Sequence, residues 1–188
     1  MAQLIFISHP EVIVNPNAPI PDWGLTPRGR SRTKQFAQSV LMRSVTAIWS
    51  STEHKAMETA GLLVEPLGLN VQTAANLGEN NRSATGFLPP DEFEAAADAF
   101  FATPHQSFQG WERAIDAQER ITHSVEQIVT EHNSVGDLAI VSHGGVGTLL
   151  WCYLNGVEID RQFDQTGQGN YWVADMPALA CHHRWRAI

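Results

Sequence analysis

Short apolar runs alternate along this chain with longer segments in which apolar residues recur every three or four positions. Three of the runs, at residues 4–7, 45–49 and 137–141, stop abruptly at polar residues and predict buried β-strands. The helical spacing predicts four helices between and after these strands, at about 27–42, 53–66, 111–132 and 146–154. Strands that alternate with helices are typical of an α/β domain, here with three layers and a mainly parallel sheet flanked by helices.

Residues 74–110 depart from this alternation. They contain Asn, Gly and the pair Pro89-Pro90, and an acidic, aromatic stretch then predicts one short helix from Asp91. Two final strands are predicted at 171–174 and 180–185. Because the chain shows no linker, repeat or low-complexity tract, we expect one domain over residues 1–188, with a variable insertion at about 74–110.

Polar residues follow each of the three predicted strands directly. The three junctions are Ser8-His9, Ser50-Ser51 and Ser142-His143. Parallel strands end at a common edge of the sheet, where ligands bind, so His9 and His143 are expected to meet there. The segment from His143 to Gly145 also begins a helix, and the free N–H groups of a helix start favour an anion. We therefore predict that Gly144 binds an anionic group.

The charge balance narrows the classes of ligand. The chain has 12 Lys and Arg against 20 Asp and Glu, a formal net charge of −8. This argues against nucleic acid or an anionic membrane as a partner, and leaves a small anionic ligand open. Only two cysteines are present, and neither a signal peptide nor an apolar stretch of about 20 residues is visible. A cytoplasmic protein is the default expectation, and the oligomeric state stays open.

Five short motifs occur in an order that is typical of one family. They are Ser8-His9-Pro10-Glu11 with Asn15, Leu25-Thr26-Pro27-Arg28-Gly29, Ser50-Ser51 with Lys55-Ala56-Met57-Glu58-Thr59-Ala60, Leu77-Gly78-Glu79, and Ser142-His143-Gly144-Gly145. Together they resemble the histidine phosphatase superfamily, in its phosphoglycerate-mutase-like branch. The resemblance covers about residues 3–175.

The resemblance implies a set of catalytic roles. His9 attacks phosphorus and carries a phosphohistidine, which divides one difficult displacement into two easier steps. His143 flanks the phosphoryl group and stabilises its charge, and Asn15 hydrogen-bonds one of its oxygens. Glu79 protonates the leaving oxygen and later activates water. The resemblance implies no metal ion and no cofactor.

The chain departs from the family pattern at the phosphate-binding positions. Ser8 and Lys55 stand where the family has arginines, and Pro10 stands where it has glycine. Arg holds phosphate with a two-pronged fork whereas Lys is a point charge, so the exchange weakens the predicted grip. Arg82 lies three residues after Glu79 and is a candidate to supply the missing fork.

We therefore predict a metal-independent phosphomonoester hydrolase, with reduced activity, that acts on a small phosphorylated metabolite. One alternative is a degenerate relative that binds a phosphate ester or a protein without turnover. A second alternative is a phosphomutase. The chain carries Gly110-Trp111-Glu112 where the family's mutases carry Gly-Glu-Ser, and this favours the hydrolase.

Overall fold

A single mixed sheet organises the chain. The structure is a computed structural model that describes residues 2–188, so the first residue of the predicted domain lies outside it. The seven strands are β1 (Gln3–Ser8), β2 (Val45–Ser50), β3 (Val71–Thr73), β4 (Asp137–Ser142), β5 (Asn170–Asp175), β6 (Ala180–Cys181) and β7 (Arg186–Ala187). Their order is β3-β2-β4-β1-β5-β6, with β7 beside β5. The first four strands of this order pair in parallel, and β5, β6 and β7 pair antiparallel.

Helices cover both faces of the sheet, as predicted for a three-layer α/β domain. They are α1 (Pro27–Ala37), α2 (His54–Val64), α3 (Pro90–Ala102), α4 (Ala114–Glu131) and α5 (Gly144–Leu154). One core contains α1 and α2, and the other contains α3, α4 and α5. Successive residues of β1 enter opposite cores, because strand side chains alternate between faces. None of the helices within residues 2–188 is long and apolar enough to cross a membrane.

The structure differs from the prediction at three elements. Strand β3 was not predicted, because its three residues are too few to show a period. Helix α1 ends at Ala37 instead of residue 42, and the apolar residues that follow enter the core from a 3₁₀ helix at Leu41–Ser44. Of the predicted strand at 180–185, only β6 forms, and β7 follows beyond that range; the two pair with different parts of β5.

The start of α1 braces the segment that follows β1. Thr26 caps the helix as predicted, since its Oγ1 accepts the Gly29 N–H at 3.0 Å. One turn later, Arg32 donates to Glu11 Oε1 and to the Gly169 carbonyl, both at 2.9 Å. The Gly169 N–H in turn donates to the His9 carbonyl at 3.0 Å. These bonds hold the backbone on both sides of His9.

Two helical glycines provide a matched test of this packing. A Cβ at Gly147 in α5 would lie 2.5 Å from the Phe6 ring and 2.7 Å from the Trp185 ring, whereas Gly61 in α2 faces open space. We expect Gly147→Ala to lower the free energy of unfolding by about 1–3 kcal/mol through overpacking. Gly61→Ala should raise it by about 0.5–1 kcal/mol, since alanine restricts the unfolded chain. Urea denaturation measures both, and a Gly147→Ala protein as stable as the parent would contradict this close packing.

Candidate active site

The ends of β2, β4 and β1 lie side by side and bring two histidines together. The His9 N–H donates to the Ser142 carbonyl at 3.1 Å, and the Ser51 N–H donates to the Val141 carbonyl at 3.0 Å. The backbone pairing therefore continues one residue past the strands. The rings of His9 and His143 are 5.2 Å apart at 69°. The predicted meeting of the two histidines at one sheet edge is confirmed.

His9 is a buried imidazole held in one tautomer. Its Nδ1 lies 2.9 Å from the Pro10 carbonyl oxygen, which can only accept, so Nδ1 carries the hydrogen and Nε2 keeps a lone pair. Burial, and next the charge of Lys55, lower the pKa of His9 to about 4. The replacement of the family's glycine by proline at position 10 leaves this carbonyl acceptor in place. The imidazole is therefore neutral and oriented at neutral pH.

His143 is fully buried and has one ring nitrogen free. Its Nε2 lies 2.8 Å from Ser51 Oγ and 3.3 Å from Glu53 Oε1. Its Nδ1 is buried, and no residue of the described chain hydrogen-bonds to it. Burial lowers the pKa of His143 well below its usual value. Buried polar atoms normally have partners, so this nitrogen marks a place where a ligand atom would be satisfied.

Glu79 reaches the start of α5 beside His143. Its carboxylate accepts the N–H groups of Gly145 at 3.3 Å and Val146 at 3.0 Å. Burial raises its pKa despite these bonds and the nearby charge of Arg82. A raised pKa suits a carboxyl group that donates a proton.

The Glu79 side chain occupies the amides at the start of α5, and this changes the expected anion site. The sequence predicted free N–H groups from His143 to Gly145, but the oxygens of Glu79 already accept the Gly145 and Val146 amides. The N–H of Gly144, the first residue of the helix, has no partner inside α5. The prediction that Gly144 binds phosphate therefore rests on this one amide.

Arg120 of α4 positions the loop that carries Glu79. Its guanidinium donates to the carbonyls of Asn76 at 2.8 Å, Gly78 at 3.0 Å and Glu79 at 3.3 Å. The same group is paired with Glu112, at 2.8 and 2.9 Å. No local pattern indicates this role, because Arg120 lies more than 40 residues along the chain from the loop.

The Ser8 hydroxyl is hydrogen-bonded to a later loop of the chain. Its Oγ donates to Gln165 Oε1 at 2.5 Å and accepts the Asn170 N–H at 2.9 Å. The Asn170 side chain also donates to Gln165 Oε1, at 3.1 Å. The side-chain amide nitrogen of Gln165 packs against Gly144. A Cβ atom on residue 144 would overlap it. The hydroxyl of Ser8 is thus engaged, and its predicted contact with phosphate remains a prediction.

Asn15 lies in the exposed loop after β1. Its Oδ1 accepts the Asn17 N–H at 3.0 Å, and its carbonyl accepts the Trp23 indole N–H at 3.0 Å. These bonds shape the loop and do not join Asn15 to the histidine pair. A hydrogen bond to a phosphoryl oxygen would need its Nδ2 group and stays a prediction.

Lys55 is buried and already paired. Only 2% of it is exposed, and its Nζ lies 2.5 Å from Glu53 Oε2 and 3.0 Å from the Ile20 carbonyl. Burial alone would raise the pKa of Glu53, but His143 and Lys55 outweigh it and lower that pKa to about 2. Because a lysine ammonium has three donors, one remains for another acceptor.

Arg82 lies over aromatic residues at the side of the site. Its guanidinium is 5.0 Å from the Phe93 ring centre and 5.8 Å from that of Trp111. Its charge lowers the pKa values of His9, Glu79 and His143, so it acts on all three predicted catalytic residues. The two aromatic rings pack against the face of the Arg82 guanidinium. Phosphate binding by the edge of the guanidinium stays a prediction.

Two further residues of the site were not predicted. Glu53 follows the Ser50-Ser51 motif and precedes Lys55 by two positions. An acidic residue this close to a strand end was the signal that could have placed Glu53 in the site. Gln165 had no local signal, because it reaches Ser8 from 157 residues away. Within residues 2–188, no group of His, Cys, Asp or Glu side chains is arranged to hold a metal ion.

The Gln165 contact leads to a prediction about restoring arginine at position 8. Ser8 is fully buried against Gln165, so we expect Ser8→Arg to lower the free energy of unfolding by about 1–3 kcal/mol through overpacking. Adding Gln165→Ala should recover part of this loss, with a coupling of about 0.5–3 kcal/mol for residues in contact. Denaturation of the two single variants and the double variant measures this coupling. Strictly additive effects would show that Gln165 does not fill the space.

The comparisons with known proteins agree with this geometry. The sequence profile of the histidine phosphatase superfamily (branch 1) matches residues 4–173. The chain belongs to this superfamily. This confirms the resemblance seen in the motifs. A search of the curated protein sequences finds no match.

Solved structures of the histidine phosphatase fold superpose over the whole chain. YhfR of Bacillus stearothermophilus has a TM-score of 0.81 at 23% identity, covering 97% of this chain and 95% of that one. A mycobacterial glucosyl-3-phosphoglycerate phosphatase complexed with VO3 has a TM-score of 0.82 at 20% identity, covering all of both chains. The Entamoeba histolytica phosphoserine phosphatase with 3-phosphoglyceric acid has a TM-score of 0.79 at 17% identity, covering 100% and 98%. The TM-scores, at these low identities, show a shared fold.

Proposed function

We propose that this superfamily member is a phosphomonoester hydrolase that works without a metal ion, through a phosphohistidine at His9. The observation that carries the proposal is the 2.9 Å contact between His9 Nδ1 and the Pro10 carbonyl, which leaves Nε2 with its lone pair. With a pKa of about 4, His9 is neutral at neutral pH, as a nucleophile must be. Membership of the superfamily supports a phosphatase or phosphomutase type of function.

In the first step, the phosphoryl group passes to His9. Its Nε2 forms a bond to phosphorus while the bond from phosphorus to the leaving oxygen breaks. Glu79 gives its carboxyl proton to that oxygen, so the leaving group departs as an alcohol. The raised pKa of Glu79 supports this role, because burial favours the protonated carboxyl group over the carboxylate.

In the second step, water releases the phosphoryl group. A water oxygen bonds to phosphorus as the bond from phosphorus to His9 Nε2 breaks, and the Glu79 carboxylate takes a proton from that water. Inorganic phosphate leaves, and both residues return to their starting states. The protein charges beside the histidine pair supply the electrostatic stabilisation that a metal ion supplies in other phosphoryl-transfer enzymes.

The free donors around the histidine pair support binding of the phosphoryl oxygens. Lys55 has one unused ammonium hydrogen, and Gly144 has an amide without a helical partner. The Nδ1 of His143 is buried without a partner among residues 2–188, and it donates to a phosphoryl oxygen in the tautomer that carries the hydrogen there. Arg82 completes this set of donors.

We also propose a small phosphorylated metabolite as the substrate and the cytoplasm as the location. The net charge of −8 supports an enzyme without nucleic-acid or membrane partners. The substrate itself is to be found by assay. A phosphomutase is the further alternative within the superfamily.

A second candidate function is a phosphate-ester-binding relative without turnover. The observation that favours it is the engagement of both positions where the family has arginine. Ser8 is bonded to Gln165, and Lys55 is paired with Glu53. A weaker grip on the phosphoryl group reduces the stabilisation of its charge during transfer.

Phosphate release tests the proposal against this alternative. A panel of phosphomonoesters is incubated with the enzyme and a chelator, and samples are quenched in base to preserve phosphohistidine. We expect phosphate release that survives the chelator, together with a base-stable phosphoenzyme. If the protein binds inorganic phosphate but neither turns over an ester nor forms a phosphoenzyme, the hydrolase proposal fails and the binding function replaces it. Retention of a labelled phosphoryl group on a second hydroxyl would indicate a mutase.

A further inference from the structure

A buried carboxylate touches three groups of the candidate site. Oε2 of Glu53 lies 2.5 Å from Lys55 Nζ, and its Oε1 lies 3.3 Å from His143 Nε2. The same Oε1 accepts the Glu79 N–H at 2.9 Å. Only 15% of the Glu53 side chain is exposed. None of the roles in the proposed reaction uses this acid.

The charge of Glu53 conflicts with a phosphoryl dianion. Glu53 stays ionised across the range in which an enzyme works, because its carboxylate is bonded to the Lys55 ammonium and accepts the Glu79 N–H. A dianion bound beside Lys55 would have to share that cation with the carboxylate, and it would be repelled by the carboxylate at short range in a poorly solvated site. This geometry penalises the more highly charged form of the ligand.

The other titratable groups that face Glu53 do not remove this conflict. His143, from the start of α5, and His9, from the end of β1, are neutral at working pH because burial lowers their pKa values. Lys55 of α2 is a cation already bonded to Glu53. Glu79, from the loop before α3, has a raised pKa and is the one facing group that requires a separate control.

A phosphoryl monoanion resolves the conflict, because it carries a P–OH group. An ionised carboxylate has acceptors but no donor, so it can accept a hydrogen bond from P–OH and none from a dianion. Such a charge-assisted bond is short and strong. The same ligand can still place an unprotonated oxygen against the third donor of Lys55.

We propose that Glu53 is a specificity-determining residue that makes this site select the monoanionic form of a phosphoryl group by accepting a hydrogen bond from its P–OH. The proposal rests on the proposed phosphatase function. It narrows the substrate class to phosphoryl groups that enter the site with one proton. Activity then falls as the pH rises through the second ionisation of the ester, which lies near pH 6.

Calorimetric titration with inorganic phosphate tests the proposal without requiring turnover. Affinity is measured at about pH 5 and about pH 8.5, between which phosphate passes from mainly monoanion to mainly dianion. For the parent protein we expect about tenfold or more weaker binding at the higher pH. For Glu53→Gln we expect about tenfold tighter binding at the higher pH and a much smaller difference between the two. The glutamine keeps an oxygen for the Glu79 N–H, so the loop retains its acceptor.

Two controls separate this role from other effects. Glu92→Gln removes one negative charge from the exposed first turn of α3 and should change neither affinity by more than about twofold. Glu79→Gln removes the other facing carboxyl group and should leave the loss of affinity at high pH in place.

Each outcome decides the proposal. Equal or tighter binding of the dianion by the parent protein overturns the selection while leaving the proposed phosphatase site intact, and this readout needs no variant to fold. Unchanged affinity of Glu53→Gln at high pH removes Glu53 from the role. If phosphate binds to neither protein at either pH, the selection and the proposed function fail together.

Discussion

Replacing His9 with alanine is expected to abolish the phosphatase activity, with a loss of about 10⁴-fold or more in kcat. The variant has no Nε2 to form the bond to phosphorus, and the neighbouring imidazole of His143 is fully buried. No phosphohistidine should then be trapped in base. Phosphate release from a phosphomonoester, followed continuously, measures the loss.

His123→Ala is the matched control for His9→Ala. His123 is exposed on α4 and makes none of the contacts described for the site, so its removal deletes one imidazole outside the proposed machinery. We expect activity within about twofold of the parent protein. If His9→Ala kept substantial chelator-resistant activity, the nucleophile would be a different group and the proposed mechanism would be wrong.

Glu79→Gln should affect esters according to how much their leaving group needs a proton. For alkyl phosphates, whose leaving oxygen must be protonated, we expect kcat/KM, which reports the first step, to fall by about 10²–10⁴-fold. For 4-nitrophenyl phosphate the loss should be far smaller in the first step, because the nitrophenolate leaves without a proton. Glutamine keeps an oxygen for the α5 amides, and thus preserves the position of the loop.

The ratio of the two kcat/KM values is the decisive measurement, because kcat/KM excludes the water step that both esters share, and a merely misplaced loop would lower both values alike. Glu119→Gln, an exposed acid on α4, is the control and should leave the ratio unchanged. An equal loss on both esters would contradict the role of Glu79 as the proton donor.

The order in which strands and helices follow one another along the chain could be predicted from local pattern alone. Runs such as residues 4–7 are apolar throughout because both faces of the strand are covered, and the structure places these side chains in two separate cores. The Thr26-Pro27 pair marked the start of α1, because capping depends only on neighbouring residues. Strand β3 escaped prediction, since three residues at a sheet edge carry little periodic signal.

The candidate catalytic side chains could also be located from sequence, for a topological reason. Parallel strands end at one edge, so residues directly after β1 and β4 had to lie close together, and His9 and His143 do. Glu79 came from the family motif alone. Its contact with the start of α5 depends on the path of a loop that Arg120 holds from another helix.

The state of the phosphate-binding groups could not be predicted, because it depends on partners that only folding brings close. The sequence marks Ser8 as a lost arginine, but the hydroxyl is engaged by Gln165 from 157 residues away. It marks Lys55 as a cation for phosphate, but Glu53 neutralises it from the turn before α2, and His143 approaches the same carboxylate from another strand end. Local pattern therefore determines which elements form and which residues lie at the sheet edge. Which donors remain free is determined by burial, since a polar group without water must bond to whatever the fold places beside it.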